Sequence, residues 1–212
     1  MYPAICYPPG EKQAYNQRVT TGHFMVNCQR LNENEAQTAV RQVKRALQKR
    51  LRFAYEHAAQ DCRTCPTVGA CCLDAHFVNV HITRLEAVGV RQKLAQWDEP
   101  TRRAAYERAR AAVARYGLTD EGDTFAQTYA CPLFAPGLGC LVHEGGDKPA
   151  PCIQHACYER REDLPPLGLQ SRAEAAIERL NQAVYDTDWA WRPLPLWLAE
   201  ITETNERERN IL

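Results

Sequence analysis

Apolar residues recur at three- and four-residue spacing from Asn32 onward, which is the pattern of a helix with one buried face. Asn32 and Glu35 match a capping box, in which each side chain accepts a hydrogen bond from the other residue's backbone N–H. The pattern therefore predicts a long helix that begins after Asn32 and runs to the first cysteines. Its apolar positions are Ala36, Val40, Val43, Leu47, Leu51, Ala54 and Ala58.

Two further helices are predicted from their end signals. Thr83 and Glu86 form a second capping pair, which predicts a helix to about Trp97. A third helix is predicted over 102–116, because a proline stands just before it and Gly117 occupies the usual C-terminal position.

The rest of the chain carries weaker signals. A β-branched stretch at 77–82 is typical of a strand, and Ser171 with Glu174 predicts the start of another helix. The stretch 131–166 is rich in proline and glycine, so we expect its backbone to be mostly loop. Because a loop lacks the regular hydrogen bonds of helices and sheets, another interaction must hold its conformation.

These elements predict a mainly α fold: an irregular helical domain with two cysteine-rich loop regions organised around a metal site, and few short strands. We expect an extended N-terminal arm over 1–30 and a cysteine-cluster metal-binding domain over 31–170. A C-terminal helical extension over 171–212 is expected to pack on that domain.

The composition of the chain limits the classes of function that we expect. The chain has 212 residues with 26 acidic and 26 basic side chains, so no overall charge field attracts nucleic acid, and we expect none as a partner. No apolar run reaches the roughly 20 residues of a membrane helix, and the start lacks the pattern of a signal peptide. We therefore expect a cytoplasmic protein without membrane association. Its ten cysteines, in a reducing compartment, favour metal binding or redox chemistry.

Eight of the cysteines form two groups. In the first group, two cysteines separated by two residues are followed, after five more, by an adjacent pair. A two-residue gap lets a tight turn direct both sulfurs at one metal, in zinc knuckles and in iron–sulfur loops alike. Adjacent cysteines are expected to point apart, so either Cys71 or Cys72 is the ligand. The first group is Cys62, Cys65, Cys71 and Cys72; the second is Cys131, Cys140, Cys152 and Cys157.

Together the two groups supply ligands for one four-sulfur site with spare thiols, or for two such sites. We expect Cys71 and Cys157 to complete a set made mainly by the other six. Both zinc and an iron–sulfur cluster accept tetrahedral thiolates at these spacings. Iron–sulfur, as a 4Fe–4S cluster, is preferred because proline follows Cys65 and Cys131 and histidine ligands are few. His143 and His155 are alternative ligands, or hydrogen-bond partners of the thiolates.

At these residues the sequence resembles the YkgJ family of cysteine-cluster proteins, described as zinc- or iron-chelating domains. The resemblance covers about residues 62–158. This chain departs from the family pattern in the longer gap before the paired cysteines, in His143 where tyrosine is usual, and in Lys148 for arginine. The matching parts are the first cysteine group, Val80–Glu86, Cys131-Pro132-Leu133, Gly139-Cys140 and Lys148-Pro149-Ala150-Pro151-Cys152.

The resemblance implies metal chelation, with a redox or electron-transfer role as one hypothesis. A related cysteine cluster in flagellin lysine N-methylases makes a protein-modifying enzyme an alternative, although no glycine-rich nucleotide-binding turn accompanies it. A third hypothesis is a zinc-stapled adaptor that binds a protein or RNA partner.

Other motifs have plainer interpretations. The basic residues of the first helix are interpreted as its solvated face, and the tryptophans near the C-terminus as part of a core. His76 and His81, which flank the predicted strand, are interpreted as structural. The basic residues are Arg41, Lys44, Arg45, Lys49, Arg50 and Arg52; the tryptophans are Trp189, Trp191 and Trp197.

Overall fold

A computed structural model describes residues 31–61, 65–73, 78–185 and 191–200. Over these ranges the protein is mainly helical with a few two-residue strands, as the sequence predicts. The predicted arm over 1–30, Cys62, His76, Trp189 and the C-terminal tail lie outside them. The helices are α1 (Glu33–Ala54), α2 (Ala70–Leu73), α3 (Arg84–Leu94), α4 (Glu99–Tyr116), α5 (Ala150–Gln154), α6 (Leu167–Tyr185) and a helical stretch over 194–200; the strands are β1 (His81–Ile82), β2 (Phe134–Ala135), β3 (Gly139–Cys140) and β4 (Arg192–Pro193).

The helix starts predicted from capping pairs are confirmed for α1 and α3. Asn32 and Glu35 form both hydrogen bonds of the box, and so do Thr83 and Glu86. At α4 the helix begins earlier than predicted, because the Asp98 carboxylate accepts the Thr101 N–H at 2.9 Å and caps the preceding turn.

The predicted start of α6 at Ser171 is wrong. The helix begins at Leu167, directly after two prolines, and Ser171 lies one turn inside it. The Ser171 hydroxyl donates to the Leu167 carbonyl at 3.2 Å, which is the back-bonding that serine adopts within a helix.

Three apolar clusters hold the described residues together. In the first, α3 and α4 pack with Tyr129, Leu133 and the 194–200 helix. In the second, α1 packs along α6 and against Leu85 of α3. In the third, the second half of α1 packs against α5 and α6. Strand β1 pairs antiparallel with β4. It covers only the last two residues, His81 and Ile82, of the strand predicted over 77–82. Within the described residues, no helix has both the length and the apolar character to cross a bilayer.

The interpretation of the α1 basic residues as a solvated face is wrong at Lys44. This side chain is 1% exposed, and its Nζ lies 2.8 Å from an equally buried oxygen of Glu86. Arg41 also turns inward, to Asp147 at 2.9 Å. Lys44 occupies the apolar stripe of α1 between Val40 and Leu47, so only a buried partner can neutralise it.

Candidate metal centre

A small hairpin places two cysteines of the second group. Strands β2 and β3 pair with Phe134 opposite Cys140, and the Leu141 N–H donates to the Leu133 carbonyl at 2.9 Å. Cys131 lies just before the hairpin. The backbone N–H groups of Leu133 and Phe134 act on its sulfur to lower the pKa of the thiol, although burial raises that pKa more.

The backbone N–H of Val142 acts in the same way on the Cys140 sulfur, against burial, which raises the pKa of that thiol. Amide donors directed at sulfur are the arrangement that stabilises thiolates in metal-binding turns. The hairpin therefore prepares both of its sulfurs to carry negative charge.

The first cysteine group lies against this hairpin. Cys71 and Cys72 belong to the short helix α2, and the Cys131 N–H donates to the Cys72 carbonyl at 2.7 Å. Gly69, just before α2, has a φ of 84°, which favours glycine. A Cβ at Gly69 would overlap the ring of Phe134, so the absence of a side chain permits close packing of the two groups.

Cys152 comes to the same place from α5, which packs on α1 and α6. Two lysines act on this thiol electrostatically, Lys148 from the preceding loop and Lys44 from α1. The buried ion pair of Lys44 and Glu86 is therefore next to the cysteines as well as inside the helical core.

Burial and the neighbouring thiols raise the pKa of four of these cysteines. Burial, reinforced by the neighbouring thiols Cys131, Cys71 and Cys140, raises the pKa of Cys72 to about 12. Burial, reinforced by Cys140 and Cys72, raises the pKa of Cys152 to about 12. The pKa of Cys131 and that of Cys140 are also raised, chiefly by burial. Without a metal, these groups are neutral thiols at pH 7.

Positively charged side chains surround the cysteines. Lys148 acts on both Cys140 and Cys152, and Lys44 acts on Cys152. Arg108 interacts with Cys131 and donates from Nε to the Pro132 carbonyl at 2.9 Å. Its Nη2 is buried without a hydrogen-bond partner among the described residues. These cations would compensate the charge of several thiolates.

The structure brings five of the eight predicted cysteines together. Within the described part of the chain, no hydrogen bond or electrostatic interaction joins Cys65 or Cys157 to these five. Cys157 instead accepts, through its carbonyl, the Gln60 N–H at 2.8 Å, close to the first group in sequence. Cys62 lies outside the described residues. The five are Cys71, Cys72, Cys131, Cys140 and Cys152.

The expectation that Cys71 and Cys72 point apart is wrong. The two thiols interact with each other electrostatically, and both interact with Cys140. The reason is that α2 is helical: successive side chains are about 100° apart on a helix, whereas they alternate to opposite sides of an extended chain.

The two candidate histidines lie at the edge of the cysteine group. His143 and His155 are exposed overall, although partial burial of each ring, together with the charge of Lys148, lowers its pKa. Neither interacts with the five cysteines in the described residues. The donors brought together are therefore all sulfur.

Across residues 31–61, 65–73, 78–185 and 191–200, no three His, Cys, Asp or Glu side chains stand in the geometry of a metal site. The cysteines converge, but their sulfurs do not surround a common centre. The donor set still fits a thiolate-bound metal in its chemistry: soft sulfur donors, backbone amides that favour the thiolate form, and nearby cations.

Comparison of the chain with protein-family models, curated proteins and solved structures finds no match. The resemblance to the YkgJ family stays a prediction that rests on the motifs.

Two residues next to the cysteines were missed by sequence reasoning. The burial of Lys44 is indicated in the sequence, because this residue lies on the apolar stripe of α1, three residues before Leu47. No sequence pattern indicates the position of Arg108: it is one of several arginines on α4, and only the fold brings it to Pro132.

The raised pKa values of the thiols predict alkaline sensitivity of the metal-free protein. Each folded-state pKa exceeds that of an unfolded thiol, about 8.5, so the folded state retains protons that the unfolded state loses. The free energy of unfolding should therefore have its full thiol contribution below about pH 8.5 and fall as the pH rises from there towards 12. Urea titrations of the metal-free protein at stepped pH values measure this.

The control is the metal-free double variant Cys72→Ser and Cys152→Ser. Lysines and tyrosines titrate in the same range in both proteins, but only the wild type has these two thiols. A decline equally steep in both proteins would contradict the prediction.

Proposed function

We propose that this protein binds a metal centre through cysteine thiolates, as an iron–sulfur cluster or zinc. The observation that carries the proposal is the convergence of five cysteines from three separate segments of the chain. Cys62, Cys65 and Cys157 are the proposed sources of further ligands. Simple packing accounts poorly for a group of five thiols that is faced by three cations, and in which burial and neighbouring thiols raise the pKa of four members.

An iron–sulfur cluster, in the 4Fe–4S form, is the preferred centre. It needs four thiolates, and hydrogen bonds to its sulfurs together with nearby charge adjust its reduction potential. The amide donors at Cys131 and Cys140 supply the first of these, and Arg108 and Lys148 supply the second. The exposure of Cys71 favours a role in electron transfer, since it places one edge of the ligand set at the surface.

Metal binding would be coupled to ordering of the site. The sulfurs must close around a common centre, and neutral thiols must lose their protons as they become ligands. We expect about one proton to be released per cysteine ligated near pH 7. Calorimetry of zinc binding in buffers of different ionisation enthalpy measures that number.

Anaerobic purification followed by assays for iron, zinc and acid-labile sulfide tests the proposal. We expect near-stoichiometric metal, and a brown protein with visible absorption if the centre is iron–sulfur. Cys131→Ser and Cys152→Ser should each lose most of the metal, because both sulfurs lie within the convergent group.

Cys6→Ser is the matched control, since Cys6 stands outside both cysteine groups in the sequence. It should retain the wild-type metal content. Wild-type protein that holds neither zinc nor iron, with correct folding shown by circular dichroism, would refute the proposal.

A further inference from the structure

A cleft of about 400 Å³ lies beside the first half of α6, at β1 and the turn Thr124–Ala126. This volume is in the range of sites for small molecules. None of the clustered cysteines lines it, although Pro151, next to Cys152, does. The residues that matter for its chemistry are His81, Phe125, Gln170, Glu174, Glu178 and Trp191.

His81 presents an unused acceptor at this cleft. The residue is only 4% exposed, and its Nδ1 lies 2.7 Å from the Asn79 carbonyl oxygen. Because a carbonyl only accepts, Nδ1 carries the hydrogen, and Nε2 of the neutral ring carries a lone pair. That Nε2 is buried with no hydrogen-bond partner among the described residues. Buried polar atoms are rarely left unpaired, so a bound donor is the expected partner.

The remaining polar groups make the cleft negative. Glu174 and Glu178 are one turn apart on α6 and line the same side. The Glu174 carboxylate accepts from Gln170 Nε2 at 2.8 Å, but within the described residues neither glutamate forms an ion pair. No lysine or arginine is among the described residues lining the cleft. Burial and the charge of Glu86 raise the pKa of Glu174, as expected for a carboxylate without a cation.

Aromatic rings complete the cleft. Phe125 stacks on the His81 ring with centroids 4.3 Å apart, and its own side chain is exposed. Trp191, half-buried, contributes a second aromatic surface. Aromatic faces attract cations and contact alkyl chains, whereas two carboxylates repel anions.

We propose that this cleft binds the primary ammonium group of an alkylamine. The carboxylates of Glu174 and Glu178 and the Nε2 atom of His81 are the acceptors for its three N–H donors. Phe125 and Trp191 contact its alkyl chain. This assignment does not depend on the metal centre, and it names a ligand chemistry shared by free amines and lysine side chains.

Calorimetric titration of the purified full chain tests the proposal, with butylamine as the probe. Butylamine should bind saturably, and 1-butanol, which has the same chain without the charge, should not. Glu174→Gln and Glu178→Gln should each weaken butylamine binding about tenfold or more. Glu107→Gln is the control, because Glu107 is an exposed residue of α4 that does not line the cleft.

His81→Phe separates binding from folding. It keeps the aromatic stack on Phe125 and removes the unpaired acceptor. It also removes the Nδ1–H that donates to the Asn79 carbonyl, so we expect a modest loss of thermal stability with the fold retained, while butylamine binding falls. A second titration with lysine blocked at both backbone ends identifies the source of the amine: tighter binding than butylamine indicates a protein lysine, and weaker binding a free amine. Failure of butylamine to bind, equal binding of butanol, or wild-type affinity in both glutamate variants would overturn the proposal, whatever the metal content.

Discussion

Lys44→Met is expected to lower the free energy of unfolding by about 3–5 kcal/mol. Lys44 and Glu86 are each 1% exposed and lie 2.8 Å apart, so removing the lysine leaves a carboxylate buried without a counter-charge. The Glu86 carboxylate also accepts the Thr83 N–H at 3.1 Å, which fixes it at the start of α3 and prevents it from turning to solvent. Urea denaturation of the metal-free protein measures the loss.

Two variants separate the charge effect from the loss of packing. Arg45→Met removes a neighbouring, exposed cation from the same helix and should change stability by no more than about 0.5 kcal/mol. The double variant Lys44→Met with Glu86→Gln keeps an acceptor for Thr83 without the charge, and should recover part of the loss. If Lys44→Met cost no more than Arg45→Met, the ion pair would have no structural importance.

Lys44 also illustrates what the sequence could and could not predict. The periodicity of α1 predicts the helix and its buried stripe, because those features depend on residues three and four apart. Whether a lysine on that stripe is buried depends on Glu86, 42 positions away in sequence (86 − 44), and on how α3 packs against α1. The local pattern therefore groups Lys44 with the exposed basic residues of α1, and only the tertiary packing separates it from them.

The helix starts also separate into those that a local sequence pattern predicts and one that it does not. Asn32 and Thr83 were predicted correctly because a capping box is a local arrangement of four residues. Ser171 has a matching pattern but lies within α6, since helix could form from Leu167 onward after the two prolines. A cap motif permits a helix to begin but does not prevent one from beginning earlier.

The sequence predicts which cysteines belong to the site but not how they are arranged in space. Spacing identified the residues with metal-ligand chemistry, and five of them converge. That Cys71 and Cys72 both face the group follows from the helical form of α2, which four residues cannot signal in sequence. The packing of the first group on the hairpin depends on a pair 65 positions apart (134 − 69), Gly69 and Phe134.

Gly69→Ala should therefore separate the two cysteine groups. Its φ of 84° disfavours any L side chain, and the new Cβ would overlap the Phe134 ring. Together the backbone strain and the overpacking are expected to lower the free energy of unfolding by about 2–5 kcal/mol. Because Gly69 directly precedes α2, displacement there moves Cys71 and Cys72 away from Cys131, and metal content should fall as well. Urea denaturation and metal analysis of the same preparation measure both effects.

Gly137→Ala is the matched control for the backbone term. Gly137 has a φ of 80°, but a Cβ there meets no atom within 4 Å, so this variant should lose only about 1–2 kcal/mol and keep its metal. The difference between the two variants isolates the contact with Phe134. Adding Phe134→Leu to Gly69→Ala should restore part of the stability by making room for the methyl group. Equal losses in both glycine variants, with metal retained, would mean that this contact does not hold the cysteine groups together.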